Sequence, residues 1–143
     1  MIIKRDTFIK EIKEQFRFLT ELGFDEIGFE LSERDYYYHY LKNKLLVRIR
    51  FNLPNNWVEV RFIYNATNSD ARELSDNSIS LMTLLSCNKI YSYEDIMPER
   101  IGFSESVRLV AYNTECHAKS ILSGESTITE QESLKITNPN RFK

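Results

Sequence analysis

A chain of 143 residues with 42% apolar and 28% charged residues has the size and composition of one globular domain, which excludes a disordered chain. Nineteen basic and 21 acidic residues give a net charge of −2, without the basic excess of a general nucleic-acid binder. No apolar run approaches the roughly 18 residues of a membrane-spanning helix, and four glycines leave no material for a glycine-rich phosphate cradle.

The opening MIIKRDTFIKEIKEQ turns charged almost at once, so no signal-peptide apolar segment is expected. A cytoplasmic location follows, with Cys87 and Cys116 as reduced thiols rather than a disulfide framework. Asp6–Leu22 reads as an amphipathic helix. Phe8, Ile12, Phe16 and Leu19 share one stripe, Asp6 or Thr7 can cap its start, and Gly23 can stop it with Phe24 folding back.

Ile27, Phe29 and Leu31 alternate with Glu26, Gly28, Glu30 and Ser32, which predicts a first strand with an apolar face. Glu33-Arg34-Asp35 turns the chain into a tyrosine-rich strand, Tyr36–Leu41, and Lys42-Asn43-Lys44 supplies the next turn. The facing of this strand is open, because a change of one residue in the turn reverses it.

Leu45–Tyr64 is the strongest signal in the chain. Leu45, Val47, Ile49 and Phe51 alternate with Leu46, Arg48, Arg50 and Asn52. Beyond a Pro-Asn-Asn connection, Val58, Val60, Phe62 and Tyr64 alternate with Trp57, Glu59, Arg61 and Ile63. This is a β-hairpin with one apolar face, and it completes a four-stranded antiparallel meander.

Asn65–Ser78 is polar and turn-rich, with room for a helical turn around Ala71–Leu74. Ile79–Ser86 is predicted as a short buried helix capped by Ser78 or Asn77. Cys87–Arg100 is ambiguous, with Pro98 excluding a regular helix through it. Ser104–Ser123 reads as the second long helix, capped by Ser104 and stopped by Gly124. Its core stripe is Val107, Val110, Ala111, Thr114, Ala118, Ile121 and Leu122, and a narrower stripe is Leu109, Tyr112 and Cys116. Thr129 and Glu132 can form the capping box of a terminal helix, and 137–143 reads as a frayed tail. The expected architecture is a single α+β domain: an N-terminal helix, a four-stranded antiparallel meander, then C-terminal helices packed on one sheet face.

Catalytic and metal chemistry find little material. Cys116 and His117 are neighbours on a helix and project about 100° apart, so they form neither a metal clamp nor a nucleophile–base pair. Two histidines and two cysteines lack zinc-type spacing. The acids Asp25, Glu26, Glu30, Glu33 and Asp35 do not follow the order of a calcium loop. No enzyme activity, cofactor or metal is expected.

Two surfaces remain as candidate partner-binding sites. On the outer face of the hairpin, placing Phe51 opposite Val58 sets Arg50 against Glu59, Arg48 against Arg61, and Asn52 against Trp57. An Arg–Glu cross-strand pair is self-contained, whereas two opposed arginines repel. Arg48 and Arg61 therefore require an anion, an acidic neighbour such as Glu26 or Glu30, or an acidic partner, and Trp57 adds a flat surface beside them. The second surface is the acidic stretch from Asp25 to Asp35, with Glu30, Glu33 and Asp35, suited to a basic partner.

The layout resembles that of a group of small, mostly uncharacterised bacterial proteins. The matching pieces are Phe16-Arg17-Phe18-Leu19 through Gly23-Phe24, and Ile121-Leu122-Ser123-Gly124. Some of these proteins resemble immunity proteins of bacterial toxin systems. The resemblance implies a non-catalytic protein that binds one protein partner, a toxin. The alternative is a small nucleic-acid-associated regulator using Arg48, Arg50, Arg61 and Trp57. No functional residue is carried over from the resemblance.

Overall fold

The computed structural model describes residues 3–87 and 102–137. Residues 88–100 of the ambiguous Cys87–Arg100 segment and 138–143 of the expected 137–143 tail fall outside the described residues. Helices α1 (Arg5–Gln15) and α2 (Arg17–Glu21) precede strands β1 (Asp25–Leu31), β2 (Asp35–Lys42), β3 (Leu45–Asn52), β4 (Trp57–Ile63) and β5 (Ser78–Ser80). Helices α3 (Leu81–Cys87), α4 (Phe103–His117), α5 (Lys119–Leu122) and α6 (Glu130–Thr137) follow. The sheet is antiparallel throughout and its strands stand in the order in which they occur along the chain. The expected α+β architecture is present, with a fifth short strand added to the four-stranded meander.

The hairpin register is the one its alternation dictates: Phe51 pairs with Val58, Arg50 with Glu59, Arg48 with Arg61, and Asn52 with Trp57. The facing of β2 is set by the Asn43-Lys44 turn, whose residues have φ of 50° and 66°. Two left-handed residues make the hairpin turn whose twist matches its strands. Tyr36, Tyr38 and Tyr40 consequently lie on the same face as Phe51, Ile49 and Val47, while Tyr37 and His39 join Arg50 and Arg48.

One sheet face and the inner sides of α1 and α4 enclose the core. Phe8 is its centre, with ring centroids 5.4 Å from Tyr36, 6.1 Å from Phe29, 6.3 Å from Phe51 and 6.4 Å from Phe103. Val107 and Val110 of α4 belong to the same cluster as Val58, Val60 and Phe62. Tyr40 is fully buried, and its hydroxyl has no hydrogen-bond partner among the described residues. Tyr40→Phe removes an unsatisfied group without opening a void, so urea denaturation is expected to give unchanged stability or a gain of up to about 1 kcal/mol. A loss above about 1 kcal/mol contradicts this account.

Several local expectations are corrected. The segment expected as one helix, Asp6–Leu22, is broken at Phe16, whose φ of −100° and ψ of 20° leave the helical range. Its N-cap is Lys4, without a side-chain hydrogen bond, rather than Asp6 or Thr7. The stop at Gly23 is as expected: Gly23 N–H bonds Thr20 O, Phe24 N–H bonds Leu19 O, and Gly23 takes φ 95°. The Ser104–Ser123 segment is likewise divided, at Ala118. Its first helix is preceded by Gly102 as N-cap, so Ser104 is not the cap and its hydroxyl donates to Glu11 Oε1 instead (2.8 Å).

The residues expected to start the short buried helix, Ile79 and Ser80, belong to β5. The cap of α3 is Ser80, whose Oγ accepts from Thr83 N–H (3.1 Å), rather than Ser78 or Asn77. Thr129 does cap α6, its Oγ1 accepting from Glu132 N–H (3.3 Å). In β1 a bulge between Glu26 and Gly28 breaks the alternation, so Ile27, Phe29 and Leu31 do not act as one buried face. Phe29 reaches the core, but Ile27 is 44% and Leu31 67% exposed.

Candidate functional site

The two candidate surfaces meet different fates. The outer face of the hairpin is covered by the polar connection after β4, which lies back across the sheet. Ala66 and Ala71 pack with Leu41, Leu46 and Ile63 in a small second apolar cluster. Arg48 anchors this strap. Its Nη2 donates to Ser69 O (2.8 Å) and Ala71 O (3.0 Å), its Nη1 to Glu73 Oε1 (2.8 Å), and its Nε to His39 Nε2 (2.9 Å).

Arg61, directly opposite, is bound by the other oxygen of the same carboxylate, Glu73 Oε2, at 3.4 Å. Its Nη1 lies 3.2 Å from Glu130 Oε1 of α6 and donates to Ser78 Oγ (3.1 Å), and its Nη2 is 3.4 Å from Glu59 Oε1. Arg50 lies 3.4 Å from Asp35 and 4.0 Å from Glu59. The repulsion inherent in the Arg48–Arg61 pairing is thus met by Glu73, a carboxylate shared between the two guanidinium groups. Glu26 and Glu30, the neutralising acids expected from the sequence, make no ion pair with either arginine among the described residues. Arg48 keeps 11% of its side chain exposed and Arg50 keeps 29%.

His39, whose facing the sequence left open, is fully buried under the strap. Because Nε2 accepts from Arg48, the neutral ring carries its proton on Nδ1. Burial, and then the positive charge of Arg48, lower its pKa to about 4 against the opposing influence of Glu30, Glu73 and Asp70. Tyr37 stacks on its ring at 5.9 Å. A shallow cleft of about 440 Å³ opens between strap and sheet, with Glu30, Tyr37, Arg48, Arg50, Arg72 and Glu73 among its lining residues. Arg48 and Arg50 in it face carboxylates already bound to them, and its imidazole has the basic nitrogen occupied.

Trp57 begins β4 as a half-buried side chain against the main core, not as a fully open stacking surface. The acidic stretch is dispersed as well. Asp35 turns inward to Arg50 and accepts from Asn52 Nδ2 (3.0 Å), and Glu30 accepts a hydrogen bond from Ser69 Oγ. Glu26 accepts from Tyr38 O–H (3.0 Å) and lies 3.8 Å from Lys13. Burial and that bond push the Tyr38 hydroxyl up to about 12. Glu33, in the β1–β2 turn, and Asp25, at the start of β1, are exposed and make no ion pair or side-chain hydrogen bond among the described residues.

Of the residues expected in the sites, Arg48, Glu59 and Arg61 come together with Asp35 nearby through Arg50, while Glu33 stands alone at the turn. Glu73, Glu130 and His39 were not among the residues expected there. Glu73 is 25 residues from Arg48 in a polar segment that carries no periodic signal. Among the described residues no group of three or more His, Cys, Asp or Glu side chains is placed to hold a metal ion, and no helix is long and apolar enough to cross a membrane. Comparison of the chain with protein-family models, curated proteins and solved structures finds no match.

Proposed function

We propose that this chain is a non-catalytic cytoplasmic binding protein of the immunity type, which neutralises a toxin-like protein partner by contact through its acidic first strand. The observation that carries the reading is a contrast in charge compensation. The arginines of the sheet face are each bound to carboxylates of the chain itself, whereas Asp25 and Glu33 have no such partner and flank exposed Ile27 and Leu31. An uncompensated acidic surface with apolar residues set in it suits a basic protein surface, for which charge steers encounter and apolar area supplies affinity.

A nucleic-acid-associated role through Arg48, Arg50, Arg61 and Trp57 has less support. Those cations would have to leave close carboxylates before they could neutralise a phosphate. The test is coexpression with the product of the neighbouring gene. Rescue of growth and a purifiable complex are expected, and the double substitution Asp25→Lys/Glu33→Lys is expected to weaken that complex by about tenfold or more. Failure to bind or rescue, together with salt-sensitive binding to RNA or DNA lost in Arg50→Glu, would overturn the reading.

A further inference from the structure

The two edges of the sheet are finished differently. At the β5 edge, Ser80 N–H donates to Glu130 Oε1 (2.9 Å) and Gln131 N–H to Ser75 O (2.8 Å), so α6 seals that side. At the β1 edge, the backbone of Glu26–Leu31 makes no hydrogen bond beyond its ladder to β2 among the described residues. An open row of backbone donors and acceptors is a template for another strand. Ile27 and Leu31 lie along this row, and Leu22 just before it is 47% exposed.

From this edge we infer how the partner proposed above is held: an extended segment with alternating basic and apolar residues adds to β1 as a sixth strand. The inference rests on the binding-protein reading and names its mode. Backbone hydrogen bonding supplies the attachment and does not discriminate by sequence. Charge selects the occupant. Of the five carboxylates from Asp25 to Asp35, Asp25 and Glu33 make no ion pair or side-chain hydrogen bond among the described residues, so a basic strand gains pairs with them and an acidic one meets like charge.

The same charges argue against a second copy. An antiparallel β1–β1 contact centred on Gly28 sets Glu26 of one chain opposite Glu30 of the other, with like charges facing. The edge is closed to its own kind and open to a complementary strand.

The test uses the full chain, isotope-labelled, and a synthetic peptide of about nine residues alternating lysine and valine. A glutamate–valine peptide serves as the control. Expected are amide shifts confined to 25–31 and slower hydrogen exchange of outward-facing β1 amides. Affinity should fall as salt rises, and the control should not bind. Asp25→Lys/Glu33→Lys alters no hydrogen bond or ion pair of the described residues, so it tests charge without disturbing the fold. It should cut lysine–valine binding by about tenfold or more and admit the glutamate peptide.

Shifts centred on the cleft or the arginine face, absence of binding at millimolar peptide, or dimerisation of the free chain through β1 would each overturn the inference. The neighbouring gene's product separates this outcome from the fate of the broader reading. A complex indifferent to the β1 substitutions keeps the immunity role and removes strand addition. Peptide binding at β1 with no complex does the reverse.

Discussion

Arg48→Met is expected to lower stability by about 3–4 kcal/mol, read from urea denaturation. The arginine is nearly enclosed and serves four groups at once: Glu73, two carbonyls of the strap and the His39 ring. Methionine fills much of the volume but leaves the buried His39 Nε2 and the two half-buried strap carbonyls without their donor, while Glu73 keeps only Arg61 of its two arginines. An unpaired buried acceptor costs more than its bond contributed. Arg50→Met is the contrasting variant. Its contacts at 3.4 and 4.0 Å are longer and its side chain is more open to water, so a loss below about 1 kcal/mol is expected. Combining Arg48→Met with Glu73→Gln should give a coupling of about 1–3 kcal/mol, since the two act as one unit. Equal, small losses for Arg48→Met and Arg50→Met would show that the strap is not held by charge.

Acid is expected to loosen the same region through His39. The ring titrates at about 4 in the folded protein and at about 6.5 when unfolded. With the folded pKa depressed, the unfolded chain binds the proton first. The stabilisation from a neutral ring is complete above pH 6.5 and declines as pH falls toward 4, by about 3 kcal/mol in all. Protonation also removes the lone pair that accepts from Arg48 and sets two cations together. Glu30, Glu73 and Asp70 are the acids that face the ring and oppose this. His39→Gln, which retains an acceptor and does not titrate, provides the reference. The stability difference between wild type and variant should shrink by about 2–3 kcal/mol from pH 7 to pH 4 in urea titrations. Parallel curves for the two proteins would sink the assignment.

The legible parts of this fold are those in which one short segment determines its own geometry. The Leu45–Tyr64 alternation set both faces and the exact cross-strand partners, because a slip by one residue would expose Val47, Ile49 and Phe51. The Gly23 stop was legible for the same reason, as a single residue free to take positive φ. Breaks at Phe16 and Ala118 were not, since neither residue opposes a helix by itself and the core stripe runs through both. The bulge in β1 was hidden by an intact alternation of Ile27, Phe29 and Leu31.

The sharpest miss concerns the strap. A polar sequence such as Asn65–Ser78 has no apolar period to show which surface it covers, and its attachment depends on charges far away in the chain. The need for a counter-charge between Arg48 and Arg61 could be read from strand pairing alone. Its identity, Glu73, could not.

The strand order bears on how the chain assembles as it is synthesised. Each strand lies beside the one made just before it, so a nascent chain meets every pairing surface already formed and waits for no distant segment. The exception is electrostatic. When β4 first pairs with β3, Arg48 and Arg61 face one another and residue 73 has yet to emerge. Within the hairpin alone Arg61 has Glu59 on its own strand as a counter-charge, whereas Arg48, among the described residues, finds its carboxylate only in Glu73, beyond the hairpin.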